Sequence, residues 1–397
     1  MRCLLVQPDY YTRYPPLGLL KLSSYYKSQA HATELVRGCV VPSWKPDRIH
    51  VTSLFSWAWR PVWRAVRYFK ALYPDAELWL GGIYASLLPD HARLSGADNV
   101  WVGLFPEAED LMPDYDLVPE WDGSIIFASR GCIRQCGFCA VPKLEGKPNR
   151  LKHGVRDLIY PKHTKVIFFD NNILGNVNWR AVFDELIELG LKVDFNQGLD
   201  ARLMTDEVAE KISKIKMPVV RLAYDSIGIG PYVEKAIKHL TDYGMRKRDI
   251  IIYTLYNYAD DPEDFFHRVR DILNWGATSY PMRYEPLCSL EKSRYVAPKW
   301  DCQRLERVMD ARRVIGYAGS FPPYKALVEK LNRANSFDEA FNLRPKMKKV
   351  SKLQRGSLME MARQDRVVGS RKKYYFPAGR RYLDWREVLR PQALIAK

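Results

Sequence analysis

An apolar run, Ser124 to Ala128, leads into Ser129-Arg130-Gly131-Cys132-Ile133-Arg134-Gln135-Cys136-Gly137-Phe138-Cys139-Ala140-Val141-Pro142. Three cysteines therefore fall within eight residues at Cys-x-x-x-Cys-x-x-Cys spacing. Small and turn-forming residues surround them, so the segment reads as a loop after a strand, able to fold its thiols back onto one centre. Thiolates bind iron and zinc. Zinc closes its structural sites with four ligands, usually as two pairs. Three cysteines with no fourth ligand nearby suit a 4Fe–4S cluster with one iron left open to a small molecule. The alternative is three structural thiols in one loop.

A chain of 397 residues with 47% hydrophobic content allows two or three domains with sizeable cores. No apolar run reaches membrane-spanning length, and Met1 to Pro8 reads as a first strand, not a signal peptide. Besides the loop there are Cys3, Cys39, Cys288 and Cys302. An odd total of seven, three of them in one tight loop, argues against a disulfide framework and for a reducing compartment; with no spanning run, the expectation is a cytoplasmic protein with no membrane partner. Cys288 and Cys302 lack the three- or four-cysteine set of a second cluster, and a structural role is expected for them over ligation of such a cluster or a catalytic thiol.

Strand and helix patterns alternate along the chain. Cys3 to Val6, a stretch from Ile49 and Val51 towards Trp59, Glu77 to Gly82 and Val100 to Gly103 read as strands, with helical spacing in Leu19 to Lys27 and Arg60 to Tyr73. That predicts an α/β, doubly wound (Rossmann-like) domain over residues 1–110. Residues 111–123, rich in Pro and Asp, read as a linker. Six further strands are predicted at Ile125–Phe127, Lys165–Phe169, Lys192–Asn196, Val219–Ala223, Ile250–Leu255 and Ser279–Tyr284. Helices are predicted between them, over Trp179–Leu189, from Asp206, over Tyr232–Tyr243 and over Pro262–Trp275. Polar residues follow every one of these strands, which suits a barrel whose C-terminal strand ends form one mouth. Taken singly, each such Asp or Asn is as well explained as a helix cap or turn residue.

The cysteine loop, with the aromatic Phe138 before the third cysteine, resembles that of the radical S-adenosylmethionine (SAM) superfamily. The six strand–helix units resemble that superfamily's partial (β/α)₆ barrel, over residues 124–290. The resemblance implies that Cys132, Cys136 and Cys139 hold a 4Fe–4S cluster whose open iron is chelated by SAM. Reduction, by an external flavodoxin- or ferredoxin-like electron donor, then cleaves SAM to methionine and a 5′-deoxyadenosyl radical. It also implies that Asp170, Asn171 and Asn172 meet the SAM amino group and that Asp225 meets its ribose hydroxyls. Gln197 and Arg202 are implied at the ribose or carboxylate, since a guanidinium forks onto a carboxylate. Arg283 and Tyr253 belong to the same mouth, facing substrate or SAM.

The order Pro-Pro-Leu-Gly-Leu-Leu, then Leu-Gly-Gly-Ile-Tyr-Ala-Ser-Leu-Leu-Pro, resembles the N-terminal domain of the cobalamin (B12)-binding class of that superfamily. The usual Asp-x-His-x-x-Gly loop is missing, and His31, His50 and His91 stand in other contexts. Cobalamin binding and a retained scaffold domain both stay open. So do three functional readings: radical modification of an unidentified substrate, cobalamin-dependent methyl transfer, and a non-catalytic iron–sulfur regulator or scaffold.

Residues 291–397 read as mainly helical and basic. From Phe341 to Lys397, 16 Lys and Arg stand against four Asp and Glu, a net +12 of the chain's +16. Lys346, Lys348, Lys349, Arg371, Lys372 and Lys373, interleaved with Tyr374, Tyr375 and Trp385, suit phosphate neutralisation and base stacking on a nucleic acid. A solvated tail or subunit contact is the alternative.

Overall fold

The computed structural model describes residues 1–150, 154–316 and 324–342. The basic segment from Lys346 to Trp385 lies outside the described residues.

The N-terminal part comprises β1 (Arg2–Gln7), α1 (Leu17–Ser28), β2 (Ala32–Arg37), β3 (Arg48–Ser53), α2 (Trp59–Leu72), β4 (Glu77–Gly82), the short helices α3 (Ile83–Leu87) and α4 (Pro89–Arg93), β5 (Asn99–Val100) and one-turn α5 (Pro106–Glu109). The strands form one parallel sheet in the order β2-β1-β3-β4-β5. Period-two alternation divides its faces. Leu4, Val6, Ile49, Val51, Leu78 and Leu80 share a core with Val62, Val66 and Phe69 of α2. Arg48, His50, Thr52, Trp79 and Gly81 take the alternate positions and face the side of α1. β2 has no counterpart in the sequence reading. It is an edge strand with only Val36 buried, so its apolar signal is weak.

Residues 111–123 join the two parts but are not a bare tether. Tyr115 and Val118 are buried in a small core with Leu20 of α1, and the Tyr115 hydroxyl accepts the Ile125 N–H at 2.7 Å.

The second part runs β6 (Ser124–Ile126), β7 (Ser129–Arg130), α6 (Val141–Leu144), β8 (Asn149–Arg150), β9 (Lys165–Phe168), α7 (Trp179–Leu189), β10 (Lys192–Phe195), α8 (Asp206–Lys214), β11 (Val220–Ala223), α9 (Gly230–Asp242), β12 (Ile250–Tyr256), α10 (Pro262–Trp275) and β13 (Thr278–Arg283). β6, β9 and β10 pair in parallel in chain order, as do β11, β12 and β13. A parallel bridge, Leu199 to Leu222, links the two sets, with the Leu199 N–H donating to the Arg221 carbonyl at 2.8 Å. α7, α8 and α10 start at the predicted Trp179, Asp206 and Pro262, while α9 starts at Gly230, two residues before the predicted Tyr232; Thr205 caps α8 through the Val208 N–H, and Asp261, ahead of Pro262, caps α10 through the Asp264 N–H. α/β architecture with parallel sheets is the result. Beyond β13, α11 (Cys302–Gly316), α12 (Tyr324–Arg333) and α13 (Phe337–Ala340) pack on Tyr256, Phe265 and Phe266.

Candidate functional site

Because the six strands are parallel, their C-terminal ends share an edge, and the cysteine loop leaves β7 along it. Three carboxylates fix that loop. Asp170, just after β9, is buried and accepts the N–H groups of Ala128 at 2.9 Å and Ser129 at 2.7 Å, and the Ser129 hydroxyl at 2.7 Å. Burial outweighs these donors and pushes its carboxyl up to about 6. Glu145, beyond the loop, accepts the Gly131 N–H at 2.8 Å and Asn171 Nδ2 at 2.9 Å, and pairs with Arg130 at 3.2 Å. Asp200 pairs with Arg134 of the loop at 2.9 Å, takes both arms of Arg202 at 2.7 and 3.1 Å, and accepts Asn172 Nδ2 at 3.1 Å. Burial pushes the Asp200 carboxyl up, but the two arginines outweigh it and hold it low.

The backbone geometry explains the glycines. Gly131 has φ +78°, and a Cβ there would lie 2.4 Å from the Lys147 carbonyl oxygen, so only glycine closes the turn before Cys132. At Gly137 a Cβ would lie 2.5 Å from the Tyr258 hydroxyl. The loop thus packs tightly on the end of β12, where Tyr258 meets Phe138 edge-on at 5.5 Å.

Cys132, Cys136 and Cys139 are free and half-buried. Burial pushes the Cys136 and Cys139 thiols up, and the neighbouring cysteines and Asp225 add to the effect. Backbone donors reach two of the sulfurs: Arg134 N–H to Cys132 Sγ at 3.3 Å and Val141 N–H to Cys139 Sγ at 3.5 Å. Among the described residues no group of three or more His, Cys, Asp or Glu side chains is gathered to hold a metal ion. The donor set nonetheless fits a cationic metal centre: the mutual repulsion of neighbouring thiolates is what a bound metal offsets, since a coordinated thiol is deprotonated.

Of the other residues singled out in sequence, Asp225 lies two residues past β11, and burial pushes it up to about 6. Its strand end is held by Arg268 of α10, which is fully buried, donates to the Tyr224 and Leu255 carbonyls at 2.8 Å each, and pairs with Asp260 at 2.7 Å. Asn172 turns inward, its Oδ1 accepting the Gly175 N–H at 3.2 Å. Gln197 is exposed, and its side chain reaches Asn196 Oδ1 at 3.4 Å. Arg283 donates to the Tyr295 carbonyl at 2.8 Å, and the Tyr253 hydroxyl donates to the Asn196 carbonyl at 3.3 Å. Sequence reasoning missed Glu145, Asp200 and Tyr14. Tyr14, from the Pro-rich loop after β1, receives Asn196 Nδ2 and stacks edge-on against Phe169 at 4.9 Å.

Compared with known proteins, the chain matches no family model and no curated protein. Any functional assignment therefore stands on the site. The exposed Cys288 and Cys302 lie outside the loop, and no described helix is long and apolar enough to cross a membrane.

Proposed function

We propose that the chain is a radical SAM enzyme, its six parallel strands forming a partial barrel with the active site at their C-terminal ends. The observation that carries this reading is the three-thiol loop fastened over that edge by Asp170, Glu145 and Asp200. Cys132, Cys136 and Cys139 would hold the cluster. A 4Fe–4S cluster bound there supplies the electron that cleaves SAM, and the chain's own task is to bind, orient and exclude water. Asp170 and Glu145 set the direction of the loop's first turn. Asp225, recessed just past β11, is suited to accept ribose hydroxyls. Arg202 is suited to a carboxylate, in competition with the Asp200 it now forks onto. Gln197 adds a carboxamide on the solvent side.

An external electron donor of the flavodoxin or ferredoxin kind completes the proposal, and a nucleic acid is the substrate class favoured by the charge of the C-terminal segment. The test is anaerobic reconstitution with iron and sulfide, reduction with dithionite, and quantification of methionine and 5′-deoxyadenosine. The two products should appear in equal amounts and fall at least tenfold in Asp225→Asn. A folded, iron-loaded protein that leaves SAM intact under reduction makes the regulator or scaffold reading the correct one.

A further inference from the structure

Helix α2, Trp59–Leu72, contains no acidic residue. Its apolar side, with Val62, Ala65, Val66 and Phe69, is buried against the sheet. Arg60, Arg64, Arg67 and Ala71 are the positions left exposed, and steps of three or four residues place them in one stripe along the helix. At 1.5 Å per residue the three arginines are spread over about 10 Å.

The stripe is built on rings. Arg60 lies over Trp59 at 4.6 Å and Arg67 over Trp63 at 5.1 Å. Both indoles are pinned by their own N–H groups: Trp59 Nε1 donates to the Leu290 carbonyl at 3.2 Å and Trp63 Nε1 to the Tyr84 hydroxyl at 3.0 Å. Through Leu290 the face continues onto the segment that follows β13. There Lys292 lies over Trp57 at 5.8 Å, and Glu291 is shared by Arg60 at 3.9 Å and Arg294 at 3.4 Å. Asp9 stands with Arg64 beside the Cys39 thiol. Among the described residues the face thus sets five cations, Arg60, Arg64, Arg67, Lys292 and Arg294, against two carboxylates. At its borders Lys70 is neutralised by Asp98 and Arg93 by Asp90. The partners in the Glu291 pairs are all more than half exposed, and such pairs contribute only about 0–1 kcal/mol, so a phosphate can displace them.

We propose that this face of α2 binds a single-stranded nucleic acid. A guanidinium lying on an indole presents its N–H fork in its own plane to a phosphate and its outer side to a base. A single strand repeats both partners, a phosphate and a planar ring, at every unit. A lipid surface would need large apolar residues on the stripe, and those of α2 are buried in the sheet core. An acidic peptide supplies anions without the repeated rings. The inference stands independently of the cluster and of the basic C-terminal segment.

The test is fluorescence anisotropy of a labelled single-stranded oligonucleotide of mixed sequence with the full-length protein, over a salt series. To remove the contribution of the C-terminal segment, the parent protein carries Lys346, Lys348, Lys349, Arg371, Lys372 and Lys373 changed to Gln. That parent should still bind the strand. Adding Arg60→Gln, Arg64→Gln and Arg67→Gln should weaken binding about tenfold at low salt and flatten the slope of log affinity against log salt by about two. Arg67→Gln alone should flatten it by about 0.7, and serves if the triple variant does not fold. Changing the same three arginines to Lys keeps the charge and should keep the slope, while the loss of the planar fork should cost about threefold in affinity. The proposal is overturned if the parent binds no strand, or if the folded triple Gln variant or Arg67→Gln binds it as the parent does. It is equally overturned if the Gln changes abolish binding to phosphatidylglycerol vesicles or to polyglutamate and leave the strand's affinity unchanged.

Discussion

Arg130 donates from Nε to the Glu109 carboxylate at 2.8 Å, and through this pair the last turn of the N-terminal sheet domain grips the start of the cysteine loop. Both side chains are mostly buried, at 13% and 17% exposure, and the guanidinium also lies 3.4 Å from the Phe127 ring centroid. Removing the arginine takes the cation from between Glu109 and Glu145 and leaves Glu109 only the longer pair with Lys21, at 4.0 Å. Arg130→Met should therefore cost about 3 kcal/mol in the first urea transition, as expected for one partner of a buried pair. Glu109→Gln, which keeps an acceptor, should cost about 1 kcal/mol. Equal and negligible losses in both would show that the pair does not hold the two parts together.

Gly131 and Gly96 form a matched comparison. Both have positive φ, +78° and +94°, but a Cβ at Gly96 meets nothing, while one at Gly131 runs into the Lys147 carbonyl. Gly96→Ala should cost only left-handed strain, about 1–2 kcal/mol. Gly131→Ala should in addition displace Cys132 and reduce iron uptake on reconstitution to less than half of wild type. Iron assays on the two purified variants decide the point. Normal uptake by Gly131→Ala would mean that the turn is not needed for the loop's shape.

The order of strands and helices was legible because each strand of the second part is a short apolar run, and because caps such as Thr205 and Asp261-Pro262 mark the helix starts. Edge strand β2 was not, since it buries only Val36. The cysteine loop was conspicuous in sequence, but its supports were not. Glu145 meets Gly131 across 14 residues, and Arg134 meets Asp200 across 66, so both pairings depend on how strand ends converge. Asp170 and Asn172 were noticed as ligand groups, and they also serve the protein's own backbone, which no spacing rule reveals.

His50 makes stability depend on pH. Its folded-state pKa is lowered by burial from 6.5 to about 3, so between those values the unfolded chain binds a proton that the folded chain does not. Stability attributable to His50 is then full above pH 6.5 and declines as pH falls towards 3, by at most about 1.4 kcal/mol per unit. Asp170 and Asp225, both raised to about 6, act in the opposite sense over part of this window, so the comparison must be with a His50 variant. Urea unfolding from pH 7 to 4 should give a shallower acid decline for His50→Gln than for wild type. Parallel curves would contradict the burial of a neutral imidazole.

The basic end of the chain predicts a salt-dependent interaction. If Lys346, Lys348, Lys349, Arg371, Lys372 and Lys373 neutralise phosphates, tRNA or single-stranded DNA should bind with an affinity that falls as salt rises. Changing all six to Gln should flatten the slope of log affinity against log salt by about five. SAM cleavage without substrate should be unaffected. Absence of binding at low salt to tRNA, single-stranded DNA and duplex DNA would leave a protein partner as the explanation of the charge.

The central claim is that Cys132, Cys136 and Cys139 together hold one iron–sulfur cluster. Iron and acid-labile sulfide counted per chain after anaerobic reconstitution and desalting, in wild type and in the Cys132→Ala, Cys136→Ala, Cys139→Ala triple variant, test it most directly. The account predicts about four irons and four sulfides in wild type and essentially none in the triple variant. A Cys288→Ala, Cys302→Ala variant should retain the wild-type load. A triple variant that keeps its iron, or a wild type that takes up a single zinc and no sulfide, would contradict it.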